Sequence, residues 1–302
     1  MPTAMNWAVA GSSGLIGSAL VRRLEQEGHE VTTLRRGVHW DPPRRWVAPG
    51  TLAGVDVVVN LAGAGIGDRR WNPRYKELVR ASRVDGTAAL AEALAGLGPG
   101  ADGRPRTFLA VSAVGYYGAD AGDRLLTEDS PAGTDFLARL CTEWEAAAGP
   151  ARAAGQRVVH PRLGLVLTAA GGVLGRMLRP FRLGLGARLG SGRQYLSWIT
   201  REDAVSALVH LASADALDGP VNVTGPEPAT NAQLTAALGR ALHRPAGLAA
   251  PAAALRLALG REMADETLLA SQRALPTRLQ GSGFAFRDPD LAGALRAALS
   301  DR

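Results

Sequence analysis

Val9-Ala10-Gly11-Ser12-Ser13-Gly14-Leu15-Ile16-Gly17 decides the fold. A short apolar run, residues 7–10, precedes the first glycine, and apolar residues at helical spacing, Leu20, Val21 and Leu24, follow the last. That order reads as strand, tight turn, helix. Gly11 permits the sharp turn after the strand, Gly14 lets backbone come close to a pyrophosphate, and Gly17 lets the helix seat on the sheet. Free N–H groups and the positive end of the helix dipole then face the phosphates. Gly11, Ser12, Ser13, Gly14, Leu15, Ile16 and Gly17 are therefore the expected phosphate turn of a dinucleotide site, with the spacing G-x-x-G-x-x-G.

The next strand, Glu30-Val31-Thr32-Thr33-Leu34, ends in Arg35 and Arg36. A fold of this kind that prefers NAD carries an acid near this point for the ribose hydroxyls. Two guanidinium groups suit a 2′-phosphate instead, with no carboxylate beside them to repel it. The expected cofactor is NADP(H), with Arg35 and Arg36 in its site. The other reading of the pair is two solvated loop arginines in an arginine-rich chain.

Strand and helix patterns then alternate. Residues 39–50 read as a loop or short irregular strands. Residues 56–63 read as a buried parallel strand ending in a turn. There Gly63, Gly65 and Gly67 allow close approach of a ligand, with Trp71 as a pocket wall just beyond. Helices are expected over 73–83 and 87–97, a strand over 107–111, a helix over about 135–154, and a strand region over 157–167 with Pro161 at an end or bulge. The fold class is α/β: a Rossmann-like, doubly wound parallel sheet with a smaller, mostly helical C-terminal substrate domain. The boundaries expected are 1–167 for the NADP-binding domain, with 200–224 returning to it, and 168–199 plus 225–302 for the substrate domain. Thr200 is a helix cap with Asp203 three residues on, and Thr230 or Asn231 caps a helix to about residue 242.

Composition sets limits. The chain has 302 residues, enough for a sizeable core, and a formal net charge of +6. Lys76 is the only lysine, so the positive charge is arginine spread through a chain rich in alanine and glycine. No basic block with interleaved aromatics points to nucleic acid. No apolar run reaches the ~18 residues of a membrane span, and residues 1–5 lack the basic start of a signal peptide. Cys141 is the single cysteine, and His29, His39, His160, His210 and His243 have no ligand spacing, so no metal site is expected. A cytoplasmic protein acting on a small molecule is the expectation.

Several of these stretches resemble the extended short-chain dehydrogenase/reductase superfamily. Gly11 to Gly17 and Asn60-Leu61-Ala62-Gly63 carry that level. Within it the chain looks like the NAD-dependent epimerase/dehydratase-like, or nucleoside-diphosphate-sugar epimerase-like, branch with a C-terminal domain of unknown function. Residues 112–118 (SAVGYYG), 180–186 (PFRLGLG), 197–199 (SWI) and 273–279 (RALPTRL) carry the branch. The resemblance implies a Rossmann-like fold and an NADP(H) site that includes Leu61, Ala62 and Gly63. It also implies a substrate cleft against the C-terminal part and, by analogy, a homodimer.

The superfamily's catalytic Tyr-x-x-x-Lys pair is absent. The residue four before Lys76 is Asn72, and on the helix expected to hold the pair Leu137 and Cys141 stand in its place. Ser112 lies at or one residue before the superfamily's catalytic Ser/Thr. Ser112, Tyr116 and Tyr117 remain as the candidate catalytic hydroxyls. An unassisted tyrosine has a pKa near ~10, so at neutral pH it donates a proton and does not accept one. Reduction of a carbonyl or imine needs only that donation; oxidation or keto-sugar epimerisation needs a cation or a general base, a part that a nearby arginine serves in some measure by stabilising the phenolate. Arg193, Tyr195 and Trp198, with Arg188 beside them, suit a phosphate- or carboxylate-bearing substrate; the other reading is solvated arginines beside a core tryptophan. Arg83 precedes Gly86-Thr87, where relatives of the fold often place a catalytic-water asparagine. The first function expected is an NADP(H)-dependent oxidoreductase reducing a small organic substrate. A non-enzymatic NADP(H)-binding sensor or partner-binding protein is the second, and a nucleotide-sugar epimerase or dehydratase the third.

Overall fold

The protein is described by a computed structural model covering residues 4–100 and 103–301. Six strands run in the spatial order Gly219–Val223, Arg157–Leu163, Thr107–Ala110, Val57–Asn60, Asn6–Ala10, Glu30–Leu34, and a seventh, Ser112–Ala113, pairs with Arg157–Leu163. The pairings from Glu30–Leu34 across to Arg157–Leu163 are parallel. The chain starts in the middle of the sheet, steps to one side, then returns to the other side of its first strand. Strand order therefore reverses beside Asn6–Ala10, where open α/β sheets bind ligands at their carboxyl edge.

The strands explain their own burial. Trp7–Ala10, Val57–Asn60 and Thr107–Ala110 are buried on both faces, as continuous apolar runs in a parallel sheet must be. The Gly17–Gln26 helix buries Gly17, Leu20 and Leu24, one stripe at helical spacing. The two helices expected between residues 73 and 97 are one helix of 23 residues, Pro73–Ala95, capped by the Asn72 side chain on Tyr75 N–H at 2.8 Å. Gly86 passes through it unbroken because the helix lies against Trp40, whose ring would stand 3.3 Å from a Cβ at that position. The helix expected over 135–154 is instead two, Phe136–Ala146 and Gly149–Ala153.

The chain divides into two compact units. Of the described residues, the first comprises 4–100, 103–112, 140–161 and 208–221; its core joins Ala8, Leu34, Trp40, Val58, Leu90 and Phe108. The second comprises residues 113–139, 162–207 and 222–301, with a core that includes Leu174, Phe181, Trp198, Leu238 and Leu295. Residues 113–139 thus sort with the second unit, where the sequence reading placed them in the first. The reason is a strand pair that composition hides. Asp120–Leu126, with two aspartates and a glycine, runs parallel to Ser271–Ala274 near the end of the chain.

The second unit otherwise contains short two-stranded pairs. Leu165–Leu167 lies parallel to Trp198–Thr200, Ala187–Leu189 parallel to Leu248–Ala250, and Tyr195–Leu196 antiparallel to Ala229–Thr230. Thr230 forms the expected cap as a full capping box with Gln233, opening the Asn231–Ala241 helix. Thr200 accepts from Asp203 N–H at 3.1 Å, as expected of a cap. The Asp203 carboxylate instead accepts from Arg287 and Asp288 N–H, at 2.9 and 3.1 Å.

Candidate functional site

The glycine turn of the first unit is closed by backbone contacts that exclude side chains. Gly11 has φ +78°, and a Cβ there would lie 2.6 Å from the Leu61 carbonyl carbon. A Cβ on Gly17 would run into the Gly11 carbonyl oxygen. Gly14 N–H donates back to that oxygen at 3.0 Å. The helix then starts with no side-chain cap at Ile16 and no acid in its first turn. Its end is left to an outside anion, and Ser13 and Gly14 are exposed beside it, with Ser12, Leu15 and Ile16 half-buried.

Arg35 and Arg36 follow the neighbouring strand and are both exposed. The loop folds on itself through Arg35 N–H to His39 Nδ1 at 3.0 Å and Gly37 N–H to the Trp40 carbonyl at 2.8 Å. Among the described residues neither guanidinium has an ion-pair partner. A dinucleotide pyrophosphate on the glycine turn and a 2′-phosphate against these arginines fit the donors present.

The segment 61–67, after the strand Val57–Asn60, is clamped from the Pro73–Ala95 helix and its approach. Asn60 Oδ1 accepts from Ala62 N–H at 3.1 Å, and its amide donates to Thr87 Oγ1 at 2.9 Å. Ser82 Oγ accepts from Ala64 N–H at 3.0 Å, and the Tyr75 hydroxyl donates to the Gly65 carbonyl at 2.5 Å. Trp71, expected as a pocket wall, is half-buried and donates from Nε1 to the Ile66 carbonyl at 2.9 Å. Arg83 Nη1 donates to the carbonyls of Ala64 and Val79 at 2.9 and 3.0 Å. Its guanidinium lies beneath exposed Gly63, where a Cβ would stand 3.1 Å from Arg83 Cζ, and stacks 5.2 Å from the Trp144 ring centre. Arg83 is 9 % exposed, and burial holds its pKa below the usual arginine range. Its position in sequence was visible; its burial without a carboxylate was not.

The candidate hydroxyls fall into different settings. Ser112, at the end of the first unit's sheet, is 2 % exposed, and its Oγ has no hydrogen-bond partner. Tyr116 and Tyr117 lie in the second unit on the 3-10 turn Val114–Tyr117, with rings edge-on at 5.4 Å. The buried Tyr117 hydroxyl donates to Asn222 Oδ1 at 2.7 Å and accepts from Arg162 Nη1 at 3.1 Å. Burial pushes the Tyr117 phenol pKa up, partly offset by the Arg162 charge and by these hydrogen bonds. Tyr116 is half-buried; the Arg162 guanidinium sits 3.4 Å from its ring centre, and its hydroxyl has no hydrogen bond among the described residues. The network continues to Glu128, whose buried carboxylate accepts from Asn222 and Arg278 N–H at 3.0 and 3.1 Å. Two backbone amides from distant parts of the sequence hold Glu128 inside.

The expected substrate residues, all in the second unit, do not share one setting. Arg193 is exposed, and Tyr195 is half-buried under the Arg273 guanidinium at 4.7 Å. Arg188 turns back on the carbonyls of Gly190 and Ser191 at 3.0 and 2.9 Å. Trp198 is 1 % exposed in the core with Leu167, Leu174 and Leu234, which leaves its ring no open face for a ligand. This corrects its expected substrate contact: the short strand pairing with Leu165–Leu167 turns that residue inward.

Leu137 and Cys141, at the Tyr-x-x-x-Lys stations, are buried on the Phe136–Ala146 helix. Leu137 N–H donates to the Glu266 carboxylate at 3.0 Å, and burial pushes the Glu266 pKa up. Among the described residues no group of three His, Cys, Asp or Glu side chains is placed to hold a metal, and no helix is long and apolar enough to cross a membrane.

Comparison with known proteins agrees with this architecture. The model of the NAD dependent epimerase/dehydratase family matches residues 7–224, and that of a domain of unknown function, DUF1731, matches residues 250–298. The Mycobacterium bovis epimerase family protein Mb2239 is 48 % identical over 295 residues, 95 % of each chain. The crystal structure of human epimerase family protein SDR39U1 (isoform 2) with NADPH superposes with a TM-score of 0.85 at 36 % identity, covering 99 % of this chain and 100 % of that one. A crystal structure of the nucleoside-diphosphate sugar epimerase from Corynebacterium glutamicum gives a TM-score of 0.78 at 34 % identity, covering 98 % of this chain and 59 % of that one. With one family model spanning most of its length and relatives alike from end to end, the chain belongs to the NAD dependent epimerase/dehydratase family.

Proposed function

We propose that the protein binds NADP(H) and uses it to reduce a carbonyl or imine of a small organic molecule. The observation that carries the cofactor reading is the pairing of an uncapped helix start behind Gly11–Gly17 with two exposed, unpartnered guanidinium groups at Arg35 and Arg36. NADPH in the human relative's crystal structure supports the same choice. When bound, the cofactor supplies a hydride. The chain's own residues supply phosphate and 2′-phosphate contacts, a rigid loop over residues 61–67, and a phenol.

Tyr116 is the proton donor in this reading. Its hydroxyl is unengaged, whereas that of Tyr117 is committed to Asn222 and Arg162. A phenol donates at neutral pH without assistance, which favours reduction; keto-sugar epimerisation would instead draw on the Arg162 guanidinium, 3.4 Å from the Tyr116 ring centre, as the cation that stabilises a phenolate. The absence of a Tyr-x-x-x-Lys pair, with Leu137 and Cys141 at its stations, supports a second reading in which the protein binds NADP(H) without turnover.

Nicotinamide fluorescence separates these readings. NADPH is expected to bind at micromolar Kd and NADH far more weakly. Arg35→Ser and Arg36→Ser should each weaken NADPH about tenfold, the scale of one charge-assisted hydrogen bond, and leave NADH unchanged. Equal affinity for both nucleotides would overturn the 2′-phosphate assignment. Consumption of NADPH with one member of a carbonyl and imine panel supports the enzyme, and binding with no consumption supports the sensor.

A further inference from the structure

We infer that Arg83 is a cofactor-binding residue, its guanidinium donating to oxygens of the ribose on the nicotinamide side of NADP(H); this rests on the cofactor reading above. Arg83 is buried, no carboxylate pairs with it among the described residues, and its Nε has no hydrogen-bond partner. Two carbonyls and the face of Trp144 are set against the charge, with Cys141 and Tyr75 as further electrostatic support and no carboxylate among them. A buried cation left this way is costly, and buried groups without partners are rare unless something else completes them. Arg80, one turn earlier, shows the ordinary alternative: it is half-buried and paired with Glu143 and Glu77.

The sheet order tells which part of the ligand lies nearest. Arg35 and Arg36 follow the Glu30–Leu34 strand, the glycine turn follows Asn6–Ala10, and Gly63 follows Val57–Asn60, in that spatial sequence. Strands are spaced ~4.8 Å apart, so an extended dinucleotide crossing the carboxyl edge meets the three stations in order. The 2′-phosphate belongs to the first station and the pyrophosphate to the second. The third station then receives the ribose that carries nicotinamide. There exposed Gly63 carries no side chain, and a Cβ at that position would stand 3.1 Å from Arg83 Cζ and 3.3 Å from both terminal nitrogens; the 61–67 loop also packs on Gly11. Ribose hydroxyls offer acceptors to the guanidinium, and the adjoining pyrophosphate offers negative charge.

Cys141 occupies the station where the resemblance predicts lysine. The cation is present, but it comes from the Pro73–Ala95 helix rather than from the Phe136–Ala146 helix.

Titration of wild type and Arg83→Met with NADPH and with adenosine 2′,5′-bisphosphate, which lacks the nicotinamide half, tests the assignment. Arg83→Met should lose about 10- to 100-fold in NADPH affinity, the scale of hydrogen bonds to a charged group, and keep the bisphosphate within about twofold. Retained bisphosphate binding also shows that the turn has folded. An equal loss for both ligands would make Arg83 a structural clamp of the loop and overturn the assignment, as would no loss for either. Wild type binding neither ligand would instead overturn the cofactor reading on which the assignment stands.

Discussion

The loop over residues 61–67 and the turn Val114–Tyr117 are both held by side chains reaching in from other elements, but only one of them is electrostatically complete. Around Val114–Tyr117 every charged group has an answer. Arg162 meets the Tyr117 hydroxyl and the Tyr116 ring, Tyr117 meets Asn222, and Glu128 meets two backbone amides. Around residues 61–67 the clamps satisfy the loop's backbone, while Arg83 keeps a buried cation without a carboxylate and an Nε without an acceptor. A complete buried network rigidifies, whereas a buried cation without a counter-charge is costly until something completes it.

The comparison breaks most readily at the turn beneath the loop. In Gly17→Val the side chain would meet the carbonyl of Gly11, a residue that has no room of its own beside the Leu61–Ala62 backbone. NADPH affinity is expected to fall by more than about 100-fold, with stability lower by about 1–3 kcal/mol from overpacking. Fluorescence titration and a urea midpoint measure both. Wild-type affinity in this variant would show that the turn is not the phosphate site.

The next effect separates the two tyrosines of the complete network. Tyr116→Phe is expected to cost about 100-fold in NADPH consumption, the lower range for a general acid, without moving the urea midpoint. Tyr117→Phe is expected to cost about 1 kcal/mol of stability, for a hydrogen bond in the network, with turnover within a few-fold of wild type. The reverse pattern would exchange their roles.

The smallest effect is on pH dependence and concerns Glu266, which caps the Leu137 end of its helix. Burial raises its folded pKa, so the folded chain holds the proton more tightly than the unfolded chain. That contribution to stability is fully present below the ordinary Glu pKa of ~4.3 and is lost as pH rises through the folded value. The Tm of wild type minus that of Glu266→Gln should therefore become more negative as pH rises from the ordinary Glu pKa of ~4.3. A difference independent of pH would show that the carboxyl titrates alike in both states.

Local periodicity determined much of this protein. The glycine turn, the buried strands, the Gly17–Gln26 stripe and the capped helix at Thr230 each depend on residues a few positions apart, so the chain displays them directly. The exposed Arg35–Arg36 pair was legible for the same reason, since it follows its strand immediately. Only the tertiary structure decided the rest, because burial and hydrogen-bond partners depend on residues far apart in sequence. Pairing of Asp120–Leu126 with Ser271–Ala274 sorts the tyrosine turn with the C-terminal segments. Trp198, expected from sequence at a substrate, is inside because Leu165–Leu167 pairs with its strand. Glu128 is a buried capping group because Asn222 and Arg278 come to it from 94 and 150 residues away. Arg83 looks in sequence like any other helical arginine. Its enclosure by Gly63, Ala64 and Trp144, with no acid among them, makes it a cation that waits for a ligand.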